Sequence, residues 1–275
     1  MATTSAASGD RPTVTFCSLA GLEAAVRARV EDVGSGEPIV FLHGLVGLNE
    51  HWETVARSVA EHFRCIMLEL PLLNLRGDDC SIDGVTRLTA AFLDEYLPGE
   101  PVILVGNSFG GHVAARVALE RPDQVRGLVL AGASGLIEKS MVSDVQLRPS
   151  REWLKRKIGE LFYDPDRYMN PADLDRAHRE LSDRAGARAM VRLSKSARRN
   201  HLGSRIGKIQ APTLLVWGRN DIVTPPEAAL QFDQLLPNSR LVWFDRCGHA
   251  PMMEQPDGFA LAVVEFASGL SGSGS

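Results

Sequence analysis

Short apolar runs alternate with longer segments of helical periodicity along most of this chain. The predicted strands cover residues 13–16, 24–30, 39–42, 65–70, 102–105, 127–130, 213–217 and 240–244. The predicted helices between them cover residues 52–62, 82–96, 109–120, 226–236 and 257–267. Continuous apolar strands suit a sheet covered on both faces, and helices between strands connect parallel neighbours. The pattern therefore predicts an α/β fold with a mostly parallel, doubly wound sheet of eight strands.

One long stretch interrupts this alternation, because residues 138–208 carry helical patterns and no strand pattern. Leu154, Ile158 and Phe162 fall on one helical face, and Asn170 before a proline is typical of a helix start. We therefore predict a core formed by two segments, with the stretch between them inserted as a helical lid over the carboxyl edge of the sheet. The predicted division is a core of residues 13–137 and 209–270, a lid of residues 138–208, and flexible ends at 1–12 and 271–275.

The strongest chemical signal is a Gly-x-Ser-x-Gly motif at residues 106–110. An apolar strand pattern leads directly into it, and a helical pattern begins directly after it. In such a strand–turn–helix arrangement the serine sits on a sharp turn with its hydroxyl exposed, and the flanking glycines allow close backbone packing. The motif therefore predicts Ser108 as a catalytic nucleophile.

Two polar residues in later loops complete a possible triad in the chain order Ser, acid, His. Asp221 follows the predicted strand 213–217, and His249 follows the last predicted strand with a glycine beside it. We predict His249 as the general base and Asp221 as the acid that orients it. Asp245 is an alternative acid, but it lies so near His249 in sequence that a role at the strand end is favoured.

The loop after the predicted strand 39–42 begins with His43 and a glycine. A site for acyl transfer needs backbone N–H groups directed at the negative charge that develops on the substrate oxygen. The residue after the nucleophile supplies one, and this loop supplies the other, so we predict an oxyanion hole formed by Phe109 and Leu45. We expect His43 to brace the loop by hydrogen bonding. The predicted substrate contacts beside these groups are Gly44, Asn107 and Val223.

Charge and composition exclude several classes of protein. The net charge of −4 and the pI near 6.0 argue against nucleic-acid binding, which needs clustered positive charge. No apolar run approaches the roughly 18 residues of a membrane span, and the first residues lack the pattern of a signal peptide, so we expect no membrane partner and a cytoplasmic protein. The four cysteines lack metal-ligand spacing. We expect neither a metal nor an organic cofactor.

The predicted lid is basic, with seventeen Lys and Arg against ten Asp and Glu. A positive lid could draw anionic substrates toward the site by electrostatic steering. A solvated helical face is the plainer interpretation, and it predicts that the basic side chains lie mostly outside. Several lid arginines pointing inward would instead favour an anionic substrate, because a buried charge needs a partner.

These four motifs, in this order and spacing, resemble the α/β-hydrolase superfamily over residues 13–270. The Gly-Asn-Ser-Phe-Gly-Gly segment, the Gly-Arg-Asn-Asp segment and the lid position are similar to the carboxylesterase and meta-cleavage-product hydrolase group. The latter enzymes cut carbon–carbon bonds in ring-fission products, and asparagine often precedes their nucleophile, as Asn107 does here. Two features depart from the resemblance. Residues 68–75 form a bulky apolar loop in place of an aspartate and a glycine-rich turn, and Ala250 stands where carbon–carbon hydrolases often have tryptophan.

The triad and the resemblance imply a serine hydrolase that cleaves a small-molecule carboxylic ester through an acyl-enzyme, without a cofactor. One alternative is a carbon–carbon hydrolase of meta-cleavage products. Another, of a different class, is a catalytically silent ligand-binding protein on a hydrolase scaffold. Serine at position 108 argues against haloalkane dehalogenase and epoxide hydrolase, because their related sites use aspartate there.

Overall fold

The computed structural model describes residues 11–138 and 149–271, in which eight strands form one sheet in the order β1-β2-β4-β3-β5-β6-β7-β8. The strands are β1 (Thr13–Leu19), β2 (Val26–Val33), β3 (Pro38–Leu42), β4 (Arg64–Glu69), β5 (Val102–Asn107), β6 (Val125–Ala131), β7 (Thr213–Gly218) and β8 (Ser239–Phe244). Strand β2 is antiparallel to both of its neighbours, and all other neighbours are parallel. The mostly parallel eight-stranded sheet predicted from the sequence is confirmed.

Helices cover both faces of the sheet. They are α1 (Glu53–Val59), α2 (Ile82–Tyr96), α3 (Phe109–Glu120), α8 (Pro226–Leu235), α9 (Pro251–Glu254) and α10 (Pro256–Ser271). In the part of the chain that the structure describes, the remaining four α-helices lie between β6 and β7 and follow in the next paragraph. Successive strand residues point to opposite faces. On β5, Leu104 therefore packs with α2, α3 and α8, whereas Ile103 and Val105 pack with α1 and α10. Burial on both faces explains why the central strands are apolar throughout.

Within the described residues, the segment between β6 and β7 contains helices joined by loops and no strand. It contains α4 (Arg151–Gly159), α5 (Pro165–Tyr168), α6 (Pro171–Ser182), α7 (Arg184–Arg199) and a short 3-10 helix at Gly203–Lys208. Side-chain oxygens of Ser150, Asn170 and Asp183 accept N–H groups at the starts of α4, α6 and α7, which satisfies donors that have no partner within the helix. We call residues 149–208 the insertion. Residues 139–148 of the predicted lid lie outside the described residues.

The last part of the insertion returns to the loop after β6, where Leu202 N–H donates to the Gly135 carbonyl over 2.8 Å. The helices of the insertion pack on the apolar loop formed by residues 68–75. Leu73 of that loop packs in one cluster with three insertion leucines, which are Leu154, Leu174 and Leu181. The apolar side chain of Leu73 is therefore explained by the surface that the loop offers to the insertion, while the other leucines of residues 68–75 are part of the main core.

Most element ends differ from the sequence prediction by one to four residues, and two of the differences have a clear cause or consequence. Strand β2 continues to Val33, beyond the predicted end at residue 30, because its last residues pair with β4. The polar residues Glu31 and Asp32 hid this extension, and Asp32 is balanced by Arg64, whose Nη2 lies 2.7 Å from its carboxylate. Helix α10 includes Ser271, the first residue of the predicted C-terminal tail, while the ends at 1–10 and 272–275 lie outside the described residues.

Candidate active site

Ser108 occupies the sharp turn between β5 and α3. Its φ of 55° lies in the left-handed region, where a non-glycine residue is uncommon. The turn is held by the backbone: Ser108 N–H donates to the Ala131 carbonyl over 3.0 Å, and the Ser108 carbonyl accepts from His112 N–H and Ser134 N–H. This strained and tightly bonded backbone is what the Gly-x-Ser-x-Gly motif predicts.

The glycines of the motif are required by close backbone contacts. A Cβ atom on Gly106 would lie 2.4 Å from the Gly110 carbonyl oxygen, and a Cβ atom on Gly110 would lie 2.4 Å from the Leu42 carbonyl oxygen. Both distances are far below van der Waals contact, so any side chain at either position would displace the helix from the strand. The serine turn therefore depends on both glycines.

His249 and Asp221 come together at the ends of β8 and β7. The Nδ1 atom of His249 lies 2.8 Å from Asp221 Oδ2, and both residues are buried. The other carboxylate oxygen of Asp221 accepts the N–H groups of Val223 and Thr224 over 2.8 and 2.9 Å. The carboxylate is thus fixed by its own loop, and it fixes one nitrogen of the imidazole.

Thr224 is a member of this group that the sequence analysis missed. Its hydroxyl lies 2.8 Å from Asp221 Oδ2, 3.0 Å from the Gly132 carbonyl oxygen and 3.2 Å from His249 Nδ1. It therefore joins the acid loop to the loop after β6. A hydroxyl three residues beyond a loop aspartate is a signal for such a bond, since Ser and Thr commonly bond nearby backbone and carboxylate groups.

The residues predicted for the oxyanion hole lie in the same pocket as Ser108. Phe109 is the first residue of α3, so its N–H has no acceptor within the helix. Leu45 lies inside a turn closed by a bond from Gly47 N–H to the Gly44 carbonyl over 3.0 Å, which leaves its own N–H out of that bond. A Cβ atom on Gly44 would stand 3.5 Å from the Ser108 Cβ, so this turn directly adjoins the serine.

Asn107 lines the pocket, but its side chain is engaged with the protein. Its Nδ2 donates to the carbonyls of Ala131 and His249, each over 3.0 Å. Both amide hydrogens are therefore used to connect the serine turn with the histidine loop, and only the amide oxygen is left for a ligand. Val223, the third predicted substrate contact, is 8% exposed and lies in the pocket lining together with Gly44.

The alternative acid and the two arginines near the triad face solvent. The Asp245 side chain is 82% exposed and pairs with Arg219, whose Nε lies 2.8 Å from its carboxylate. Arg246 is also exposed. His43 braces its loop as expected, with Nδ1 2.7 Å from the Gly44 carbonyl oxygen, and burial lowers the pKa of its imidazole.

A cavity of about 210 Å³ contains Ser108 and His249. Core loops form one side of it, and the insertion forms the other. The insertion side is mostly apolar and includes Trp153, Leu154, Phe162, Ala177, Leu181 and Met190. The pocket is therefore formed by two parts of the molecule. The sheet edge carries the polar groups, and the insertion helices supply most of the apolar lining. The sequence predicts these helices as one lid but does not indicate which of their side chains face the pocket.

Three cations of the insertion also line the cavity, which are Lys157, Arg176 and Arg198. Lys157 lies 3.1 Å from Glu160, and Arg176 lies 2.8 Å from Glu180 and 2.7 Å from the Val46 carbonyl oxygen. The carboxyl group of Glu138 lines the same cavity. Burial raises its pKa, while the nearby charge of Arg198 acts in the opposite direction.

Within the described ranges, no group of three or more His, Cys, Asp or Glu side chains could hold a metal ion. No helix of those ranges is long and apolar enough to cross a membrane. The four cysteines are free thiols. Burial raises the pKa of Cys65 to about 12 and also raises that of Cys247, beside the candidate histidine. Since the thiolate is the reactive form, Cys247 is a poor nucleophile.

Residues 39–263 match the model of the alpha/beta hydrolase family. The match spans most of the chain, including the serine turn, the insertion and the acid–histidine pair. The chain therefore belongs to the α/β-hydrolase family, and the resemblance read from its motifs is confirmed.

Its relatives include enzymes of two kinds. A pimeloyl-[acyl-carrier protein] methyl ester esterase from Nitrosomonas europaea is 30% identical over 251 residues, which cover 84% of this chain and 95% of that protein. A 2-hydroxy-6-oxononadienedioate/2-hydroxy-6-oxononatrienedioate hydrolase from Cupriavidus pinatubonensis is 31% identical over 264 residues, covering 87% and 90%. The solved structure of a meta-cleavage product hydrolase from Pseudomonas fluorescens IP01 has a TM-score of 0.75 at 25% identity, covering 89% and 95%. These relatives support a hydrolase.

Proposed function

We propose that the protein is a serine hydrolase that cleaves carboxylic esters through an acyl-enzyme, with Ser108, His249 and Asp221 as its triad. The observation that carries the proposal is the 2.8 Å bond between His249 Nδ1 and Asp221 Oδ2, made in the pocket into which the strained serine turn opens. An acid bonded to Nδ1 holds the proton on that nitrogen and leaves the Nε2 lone pair to act as a base.

The reaction then proceeds in two halves. His249 Nε2 takes the Ser108 proton as the serine oxygen attacks the ester carbonyl, and the N–H groups of Leu45 and Phe109 stabilise the oxyanion. The imidazolium gives that proton to the departing alcohol, which leaves an acyl group on Ser108. Water, deprotonated by the same histidine, attacks the acyl group and releases the acid. Asp221 stabilises the imidazolium in both halves.

The pocket lining favours an ester with an apolar acyl or alkyl group over a substrate with a free carboxylate. Apolar side chains dominate the insertion side, and the cations there have acidic neighbours: Lys157 pairs with Glu160, and Arg176 pairs with Glu180. A substrate carboxylate would have to compete with these partners, whereas an apolar chain gains the free energy of burial, about 25 cal/mol per Å².

Carbon–carbon cleavage of a ring-fission product is the second candidate. Its supports are the relatives named for such reactions and the inward position of Lys157, Arg176 and Arg198. A third support is Asn107, because asparagine often precedes the nucleophile in the meta-cleavage-product hydrolases, although its bonded amide hydrogens leave only the amide oxygen for a ligand. Against it stands Ala250, which offers no aromatic wall beside His249. Specificity constants for a short-chain aryl ester and a meta-cleavage product, measured on one preparation, decide between the two. A hundredfold preference for the ring-fission product would overturn the ester proposal.

We also propose that the insertion acts as a lid over the catalytic residues. Its support is the shared lining of one cavity by Ser108 on the core side and by helices α4, α6 and α7 on the other. A catalytically silent scaffold is tested at the same time by labelling with a fluorophosphonate probe. We expect the wild type to be labelled and Ser108→Ala to remain unlabelled, and a wild type that stays unlabelled and inactive on esters contradicts the proposed function.

A further inference from the structure

The backbone of the candidate histidine is held from two sides. His249 N–H donates to the Leu161 carbonyl over 2.7 Å, and Leu161 belongs to the insertion, between α4 and α5. The His249 carbonyl accepts Asn107 Nδ2 over 3.0 Å from the serine turn. The first bond therefore connects the histidine loop to the insertion, and the second connects it to the serine turn.

A buried carboxylate reinforces the bond to the insertion. Glu254, in α9, is 3% exposed, and its two oxygens accept N–H groups from different regions. Oε1 accepts Gly248 N–H over 2.7 Å from the histidine loop, and Oε2 accepts Tyr163 N–H over 2.8 Å from the insertion. The Cys247 thiol also lies 3.6 Å from Oε1. Hydrogen bonds donated to a charged acceptor are stronger than those to a neutral one, so this bridge is a strong link between the two segments.

Gly248 permits the close approach that this bridge requires. A Cβ atom at that position would lie 2.7 Å from the Leu161 carbonyl oxygen and 2.9 Å from the Tyr163 nitrogen. The histidine loop and the insertion therefore touch backbone to backbone, with the Glu254 carboxylate closing the contact.

We propose that Glu254 is a positioning residue that fastens the histidine loop to the insertion, so that His249 is correctly placed only when the insertion is docked. The inference rests on the proposed function, because it assigns His249 as the base. It links substrate enclosure to chemistry: a displaced insertion withdraws the Leu161 carbonyl from His249 N–H and the Tyr163 N–H from the Glu254 carboxylate, which loosens the base. Catalysis is therefore suppressed in molecules whose pocket is open.

The test compares Glu254→Gln with a matched control, Asp79→Asn. Asp79 is a carboxylate with 4% exposure that likewise accepts backbone N–H groups, those of Leu22 and Glu23, but it lies in a different loop. Glutamine keeps one acceptor oxygen and directs an amide donor at the other N–H, so one side of the bridge is lost and a buried donor is left without a partner.

Hydrogen exchange of peptides covering residues 161–163 and 247–250 is the first readout, and it needs no substrate. We expect Glu254→Gln to speed exchange in both peptides by about tenfold or more, whereas Asp79→Asn leaves both unchanged. The second readout is kinetics on a p-nitrophenyl ester. We expect kcat to fall about 10- to 100-fold with KM changed by less than about threefold, because misplacement of the base affects chemistry more than binding.

Faster exchange confined to residues 247–250, or a kcat within about twofold of wild type, overturns the inference. If Glu254→Gln does not fold, Glu254→Asp serves instead. It keeps the charge but is one methylene shorter, so both peptides should lose protection partially, and wild-type protection in either peptide overturns the inference. Fluorophosphonate labelling of the wild type separates the two proposals. A labelled wild type with an unaffected Glu254 variant refutes the bridge alone, and an unlabelled, inactive wild type refutes the proposed function.

Discussion

The two sides of the pocket are held by different kinds of interaction. The serine turn is fixed by backbone hydrogen bonds at Ser108 and by glycine contacts that allow no side chain. Apart from the backbone bonds at Leu161 and Leu202, the insertion is held on the core by side chains. These contacts include the leucine cluster around Leu73, the 3.1 Å contact of His51 with Asp173, and the bond from Arg176 to the Val46 carbonyl.

This difference separates the part of the site that is constrained from the part that can vary. Backbone bonds do not depend on side-chain identity, so the reactive geometry can be kept while most of the sequence changes. Contacts between side chains change with every substitution, so the pocket facing the substrate can be reshaped by mutation. Relatives named for methyl ester cleavage and for dienedioate hydrolysis match the same large part of this chain at about the same identity.

The largest expected effect is on the constrained side. Replacing Ser108 with alanine removes the nucleophile and leaves only binding and oxyanion stabilisation. Turnover of an ester should fall roughly a million-fold, while the circular dichroism spectrum stays that of the wild type. Activity retained within about tenfold on a substrate that the wild type cleaves contradicts the assignment of Ser108.

The next effect concerns the acid. Asp221→Asn preserves the shape of the side chain but removes the charge that selects the histidine tautomer, so kcat should fall about ten-thousand-fold. The matched control is Asp245→Asn, because that carboxylate is exposed and pairs with Arg219. We expect the control to retain activity close to wild type. If Asp245→Asn proves the more damaging substitution, the acid is misassigned.

A smaller effect is expected on the variable side. Leu73→Ala removes the core half of the cluster on which the insertion rests, and truncation of a buried leucine costs about 2–5 kcal/mol of stability. Because the core surface on which the insertion packs is altered, KM for a long-chain ester should also rise several-fold. Leu88→Ala, in the core contact of α2, is the control: it should lower the midpoint of urea unfolding without the KM change. Equal KM values for Leu73→Ala and Leu88→Ala would show that the contacts of the insertion do not determine substrate binding, which contradicts the division into a constrained and a variable side of the pocket.

The last effect is a pH dependence of stability where the two sides meet. His112, in α3, packs against Gly135 at the base of the insertion, and burial lowers its pKa to about 3. In the unfolded chain the pKa is about 6.5, so the unfolded state binds a proton that the folded state excludes. The free energy of unfolding therefore falls as the pH drops from about 6.5 toward 3, by up to about 1.4 kcal/mol per pH unit.

His112→Leu tests this contribution because leucine cannot take up a proton. Urea unfolding at several pH values between 4 and 8 should give a shallower pH dependence for the variant than for the wild type. Parallel curves for the two proteins would show that the buried imidazole does not contribute.

Sequence reasoning reached the fold and the local motifs because each depends on neighbouring residues. The serine turn, for example, is encoded within Gly106–Gly110 alone. It missed interactions that exist only after distant segments meet. The Thr224 hydroxyl bonds the Gly132 carbonyl after β6, and the Asn107 amide hydrogens bond the carbonyls of Ala131 and His249. These partners lie far apart in sequence, so no local pattern indicates the bonds. The extension of β2 was hidden because its residues are polar, although their partners lie on β4.

The hydrogen bond between Gly135 and Leu202 has a consequence for how such a protein can be re-engineered. Because Gly135, just after β6, and Leu202 lie side by side, helices α4 to α7 belong to a segment whose two ends are adjacent, so this segment can be exchanged as one unit. The entropy of closing a loop grows only slowly with its length, so segments of different sizes can be exchanged between these two residues at small cost. Chimeras joined there are the natural starting point for transplanting substrate preference between members of the family.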